Sequence, residues 1–476
     1  MKENKYASLP YFIFVVGLFL SIISFNFLCE GMFMDGLYYS CISHKLADGQ
    51  CTLWHLTYTD FNYNPFYGHP PLAMLLQSWF LNIFGDNVIC DKIYSVLTYI
   101  ITGLLMCLVW KRLVGDFKSA WMPLLFWITI PLVIWGSTNN VLENTMSIFV
   151  VASIFFCLDE KRPYLSSMLA GSMVFLAFMV KGPTSLFPLA FPVIQYSFQN
   201  KMSLPKCLLR LLIMVASCLA IFALMLLLSD DARYFFGQYY DSQIVGSFNG
   251  KPTIGNRFYI VWRCFCEIFV GVAILIVAFV IKHKTKTFKQ IASLKQTLAT
   301  NADARENAKK SLGFFLLGLC GVVPMIVSMK QSGFYIISTM PFFAISMALL
   351  FRSIFTDIKG RAVKYIVSCL MLAVAIALNI VNFGKISRDK DLIHDIKAFG
   401  EIAPKNEVVL IPQSLGAEYS LRCYMSRYND ATLTVNDNNC RYMILPKYDS
   451  IDNYEWGSRY KKIDINTEKY NFYITK

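Results

Sequence analysis

YFIFVVGLFLSIISFNFL, residues 11–28, runs directly into CEGMFMDGLYYS, residues 29–40. The first stretch is apolar for long enough to cross about 30 Å of hydrocarbon as a helix. The second puts a carboxylate, Asp35, just beyond its end. The pattern recurs where the third apolar stretch gives way to STNNVLENT, residues 137–145, with Glu143 at the same kind of boundary. Two acids at one membrane face, in a chain of apolar helices, point to chemistry at a bilayer surface.

The rest of the composition agrees. Over 476 residues the chain is 56% apolar and 15% aromatic, with a mean hydropathy of +0.47, which excludes an ordinary soluble enzyme. Apolar windows predict about eleven spans, at residues 11–28, 89–110, 120–136, 145–158, 165–180, 184–198, 207–228, 258–281, 312–329, 334–351 and 365–381. The fourth and sixth are short. Lys and Arg sort onto alternate ends: Lys2 and Lys5; Lys111, Arg112 and Lys118; Lys161 and Arg162; Lys201 and Lys206; the run 282–310; and Arg352, Lys359, Arg361 and Lys364. Basic flanks stay in the cytoplasm, so the amino terminus is expected inside and the carboxy terminus outside. No small-residue cleavage site follows the first span, which is read as an anchor. The net charge of +13 is then topology and attraction to anionic lipid headgroups. No basic stripe with interleaved aromatics suggests nucleic acid.

The expected fold class is an α-helical polytopic membrane protein with a small α/β extracytoplasmic domain at its carboxy terminus. Residues 1–384 form the transmembrane part, with outer loops at 29–88 and 229–257, and residues 385–476 form the tail. In the tail, helices are predicted at 388–399 and 417–426 and strands at 407–412, 432–435, 441–445 and 471–474. The polar run 282–310 reads as a solvated cytoplasmic hairpin. Most of the fourteen cysteines lie in or beside spans, where a thiol acts as a small apolar group. Cys41 with Cys51 and Cys423 with Cys440 are the pairs that an oxidising outer face would allow to form disulfides. No CxxC, HExxH or Cys/His cluster marks a structural metal.

The order of spans, the acid after the first, FYGHPPL at 66–72, NNVLENT at 139–145, KGPTSLFP at 181–188 and KQSGFYIISTMPFFA at 330–344 together resemble the superfamily C membrane glycosyltransferases. That group includes the protein O-mannosyltransferases and the lipid A aminoarabinose transferase. The likeness covers about residues 1–384, and the tail is similar to that of bacterial members. It implies a glycosyltransferase of the bacterial inner membrane, working on the periplasmic face and inverting at the sugar. Such an enzyme moves a hexose or pentose from a polyprenyl phosphate to a protein hydroxyl, lipid A or a surface glycan.

By that resemblance Asp35 is the base that deprotonates the acceptor, with capping of an interfacial helix as its structural alternative. Relatives often carry an acidic pair here, whereas this chain has Gly36. Glu143 matches the second acid and either positions the acceptor, binds a divalent ion, accepts from the sugar, or pairs structurally with Lys181 or His69. Lys181 and Lys330 break the charge sorting by lying at outer ends, as partners for the donor phosphate or as residues snorkelling to headgroups. Tyr335 is expected at the same phosphate, or as an interfacial aromatic. His69 is expected to bind acceptor, phosphate or metal, or to be an ordinary loop residue. Tyr38 joins the substrate set, as do Arg233, Gln243 and Arg257 in the second loop, which in the family covers the donor; Tyr239 lies in that loop too. Beyond a divalent ion at Glu143 and His69, no cofactor is implied. Two further classes fit many spans: a polyprenyl-linked sugar flippase, which should show midplane charges and repeats, and a non-catalytic membrane subunit.

Overall fold

The computed structural model describes residues 8–59, 65–198, 202–246, 252–283, 302–355, 360–436 and 439–476. Most of the basic run 282–310 lies outside the described residues, as do Lys2, Lys5, Lys201 and Lys359.

The chain opens with helix α1 (Leu9–Ile23), α2 (Met34–Ala47), α3 (Leu72–Phe84) and α4 (Val88–Val114). The local sequence sets the ends of α4. The Asn87 side chain accepts from the backbone N–H groups of Ile89 and Cys90, and Gly115 closes the helix with φ of 85°. Next come α5 (Trp121–Ile128), α6 (Pro131–Ser137), α7 (Leu142–Cys157) and α8 (Pro163–Lys181).

Seven helices among the described residues are long and apolar enough to cross a membrane: Val88–Val114, Pro163–Ser185, Leu204–Leu228, Tyr259–Lys282, Ala302–Val327, Gly333–Ile354 and Arg361–Asn382. Counting α6 and α7 as one broken span, bent by 112°, makes eight. The apolar windows number about eleven, and prolines account for much of the difference from these helices. Pro131 cannot donate to the turn before it and splits residues 120–136 into α5 and α6. Pro183 and Pro188 sit in 3₁₀ turns, leaving only Phe191–Phe198 as α-helix in that predicted span. The first span stops at α1, 15 residues long.

Three of the long helices, Leu204–Leu228, Tyr259–Lys282 and Arg361–Asn382, bury only 11%, 22% and 17% of their apolar window inside the protein. The rest of their surface suits lipid, as in a multi-pass membrane protein.

Basic ends gather at one pole. Lys310 donates to the Leu113 carbonyl at 2.7 Å, Lys282 to that of Ser353 at 2.8 Å, and Arg352 lies 3.4 Å from Asp116. The other end of α4 lies about 40 Å away at helical rise, beside the tail.

The tail is a five-stranded sheet in the order β2-β1-β3-β5-β4, with β1 (Val408–Leu410), β2 (Thr432–Thr434), β3 (Tyr442–Pro446), β4 (Tyr460–Lys462) and β5 (Tyr470–Thr475). β1 pairs in parallel with β2 and β3, while β5 runs antiparallel to β3 and β4. Every predicted tail element is present, and β4 is an addition. Its YKK, short and lysine-rich at a sheet edge, carries no apolar alternation to read. Helix Lys390–Gly400 packs by stacking Phe399 on Phe472 at 4.9 Å. The buried carboxylate of Asp395 accepts the N–H groups of Lys469 and Tyr470, at 2.7 and 2.9 Å, to fix the start of β5.

The tail is docked onto the first loop. Backbone bonds run from Glu30 to Lys385 and from Ser387 to Glu30, and Tyr424 accepts from the Met32 N–H at 3.0 Å. All four cysteines of the two expected pairs carry free thiols in the structure. Cys423 faces the core shared with α2, whereas Cys440 packs with Leu410 and Tyr460 in a separate cluster. Cys41 is turned to the Cys423 carbonyl.

Candidate active site

Two short-range sequence features place the site. The first is the bend between α6 and α7, where Asn140 takes φ of 47°, a conformation asparagine tolerates better than most residues. Its side-chain amide donates to Ser40 and Gln77 at 2.9 Å, and that of Asn144 to Ser95 and the Gly136 carbonyl at 2.9 Å. Asn139 accepts from the Phe33 N–H at 2.9 Å. The bend is thereby clamped to the start of α2, which sets Asp35 and Glu143 in one frame. Gly36 is what permits the approach: a Cβ there would lie 1.8 Å from the Asn139 carbonyl oxygen. The absent second acid is a packing requirement.

The second feature is the KGP turn ending α8. Gly182 has φ of 72°, and the Tyr239 hydroxyl occupies the place of its missing Cβ. The turn sends Lys181 inward, where its ammonium bonds the carboxylate of Glu143 and lies 4.1 Å from the Tyr335 ring centre. Both charges are buried, Glu143 at 0% and Lys181 at 6% exposure. The second oxygen of Glu143, Oε2, has no protein partner among the described residues.

Beside this pair lies a cavity of about 250 Å³, whose lining includes Asp35, Tyr38, Tyr39, His69, Gln243 and Tyr419. Burial raises the Asp35 carboxyl above the ordinary range, and Lys181 partly offsets this. Burial pushes the His69 imidazole down to about 3, with Lys181 adding to the effect. His69 is therefore neutral at physiological pH. Its ring meets Tyr39 edge-on at 5.9 Å. Tyr38 packs on Tyr58 at 4.3 Å.

Of the residues expected from the sequence, Asp35, Tyr38, His69 and Gln243 line the cavity, and Glu143, Lys181 and Tyr335 meet next to it. Three others are engaged elsewhere. Lys330 donates to the Gly246 carbonyl at 3.0 Å, Arg257 to that of Val327 at 3.2 Å, and Arg233 pairs with Asp230 on its own helix. Tyr39 and Tyr419 were not anticipated. Tyr39 follows Tyr38 directly and was legible; Tyr419 comes from the tail, and only tertiary docking brings it in.

The metal expectation fares differently. Lys181 already takes one oxygen of Glu143. Among the described residues, the group with ligand atoms close enough for one ion is His44, Asp48 and Asp86, which does not include Glu143 or His69.

No family model matches the sequence, and no curated protein matches it. Solved structures do. ArnT from Cupriavidus metallidurans in the apo state superposes over 97% of this chain and 96% of its own, with a TM-score of 0.66 at 10% identity. The chain has the ArnT fold. ArnT bound to undecaprenyl phosphate matches over 99% and 98%, with a TM-score of 0.64 at 10% identity. The oligosaccharyltransferase of Archaeoglobus fulgidus in its apo form reaches only 0.47, over 93% and 70%, at 10% identity. At such identity the likeness to ArnT is one of fold, and it bears out the superfamily C resemblance at that level. It extends through the tail, so the α/β domain belongs to the shared architecture.

Proposed function

We propose that this chain is a membrane glycosyltransferase that moves a sugar from a polyprenyl phosphate to an acceptor hydroxyl, or to a phosphate such as those of lipid A, at the extracytoplasmic face. The observation that carries this reading is the placing of Asp35 on the wall of a cavity whose neighbouring buried cation is Lys181. The undecaprenyl phosphate bound by ArnT, a protein of the same fold, supports the donor class.

In the proposed reaction the Asp35 carboxylate takes the acceptor proton as the acceptor oxygen attacks the anomeric carbon. The bond from that carbon to the phosphate oxygen breaks, and the charge develops on the departing polyprenyl phosphate. A raised proton affinity suits Asp35 to this role. Lys181, already desolvated and oriented, meets the phosphate charge as the donor competes with Glu143 for it. Tyr335 is close enough to Lys181 to join it. One displacement inverts the anomeric centre. The free oxygen of Glu143 and neutral His69 are acceptors for sugar or acceptor hydroxyl groups.

Mass spectrometry of lipid-linked sugars and surface glycans in a deletion strain tests the reading. An accumulating polyprenyl-phosphate sugar and a missing glycosyl modification are expected. Donor trapped on the cytoplasmic leaflet would instead indicate a flippase.

A further inference from the structure

Cys41 lies on α2, the helix that carries Asp35, and Cys423 lies on the tail helix Tyr419–Asn429 that supplies Tyr419 to the cavity. Both residues are 0% exposed. The Cys41 thiol donates to the Cys423 carbonyl at 3.2 Å, which brings the two residues into direct contact. The helices around them are held in register by the bond from the Met32 N–H to Tyr424, by Ser426 to the Tyr58 carbonyl at 3.4 Å, and by Arg427 to Asp91 at 3.0 Å. Neither thiol has an assigned part in the transfer reaction.

We propose that Cys41 and Cys423 form a disulfide that staples the tail to α2 and so fixes one wall of the site. The proposal rests on the reading that this face lies outside the cytoplasm, where disulfides persist. The reaction is thiol–disulfide exchange with an oxidised dithiol protein of that compartment. One cysteine thiolate attacks the oxidant's disulfide to give a mixed disulfide. The other displaces the oxidant's remaining sulfur, so both electrons and both protons end on the oxidant as a dithiol. Because both sulfurs are buried in the finished fold, exchange occurs as the tail docks. The bond joins positions 382 residues apart, removing loop-closure entropy from the undocked state. Sequence neighbours alone would pair each of these cysteines within its own segment; docking takes one from each of those pairs and brings them into contact.

The test is a thiol map of the full chain purified in detergent. Thiols are blocked with one alkylating reagent under denaturing, non-reducing conditions, then reduced and labelled with a second. Cys41 and Cys423 are expected to carry only the second label, and the unreduced digest is expected to contain their two peptides joined, lighter by two hydrogens. Cys41→Ala should move Cys423 to the first label. If both carry the first label in the wild-type chain, or if the joined peptides are 41 with 51 or 423 with 440, the staple is overturned. The wild-type map decides even if the variant fails to fold. It reads bond identity without a transfer assay, so a missing staple and a missing transferase activity are told apart.

Discussion

Lys181 ends α8 with its ammonium on the buried carboxylate of Glu143. Each charge is the other's main compensation for lost water, and removing either strands its partner at a cost of about 3–5 kcal/mol. Lys181→Met and Glu143→Gln should each lower the thermal midpoint in detergent. The double variant should be more stable than the sum of the two losses predicts. It should still fail to bind polyprenyl phosphate, because the cation is gone. Strictly additive losses across the double-mutant cycle would show that the pair is not coupled.

Asp35 lines the cavity and approaches Lys181 without being committed to it. Asp35→Asn keeps the shape and removes the proton acceptor. Transfer from a polyprenyl-phosphate sugar in a reconstituted assay should fall by about 10²–10⁴-fold, with donor binding and thermal midpoint near wild type. The wild-type rate should also decline as pH falls through a value above the usual carboxylate range, since the raised group protonates first. A pH-independent rate, or wild-type transfer by Asp35→Asn, would falsify the base assignment.

The acids were legible in the sequence because an ionisable residue at the end of an apolar run has few reasons to be there. Lys181 was legible for the same reason, as an exception to the charge sorting. The same logic marked Lys330, which the fold uses on the Gly246 carbonyl; Arg233 and Arg257, expected from the resemblance of the second loop, are taken by Asp230 and the Val327 carbonyl. A sidedness pattern says which face a charge occupies but not whether its head reaches a cavity or a nearby backbone oxygen. Apolar windows and helices part company on backbone chemistry, as at Pro131, because a hydropathy window is blind to a missing N–H. Tyr419 failed on distance along the chain, since the tail had been read as a domain of its own.

Gly36 stands where a second acid was anticipated, and the Asn139 carbonyl fills the space that any side chain would need. Gly36→Ala should force the α6–α7 bend away from α2. The overpacking cost is about 1–3 kcal/mol. Displacement of Asp35 relative to Lys181 should reduce transfer more than the loss of stability explains. Gly36→Glu should be worse and should not create a functional acidic pair. A Gly36→Ala protein with wild-type midpoint and rate would mean the bend is not clamped as described.

His44 joins the membrane part to the tail through Asp86 on Nδ1 and Asp430 on Nε2, the latter at 2.8 Å. Burial opposes its charge, but the hydrogen bonds to Asp430 and Asp86 outweigh it and raise the imidazole from 6.5 to about 9. Asp48, at 3.7 Å, faces the same ring. Arg427, 2.5 Å from Asp86, works against the His44 charge; Lys405 sits 3.0 Å from Asp430. A group whose folded pKa lies above its ordinary value stabilises fully below that ordinary value and loses its contribution as pH rises through the folded one. Tail docking should therefore hold its His44 contribution below pH 6.5 and lose it as pH passes about 9. The acids set the other limit, since Asp430 is pulled from 3.8 to about 2 and its contribution disappears as pH falls through that value. Limited proteolysis of the tail across this range should show protection declining on the alkaline side. His44→Gln should be less protected than wild type at pH 6.5 and indistinguishable from it once His44 has lost its proton. A deficit that stayed constant with pH would assign His44 a packing role and no charge.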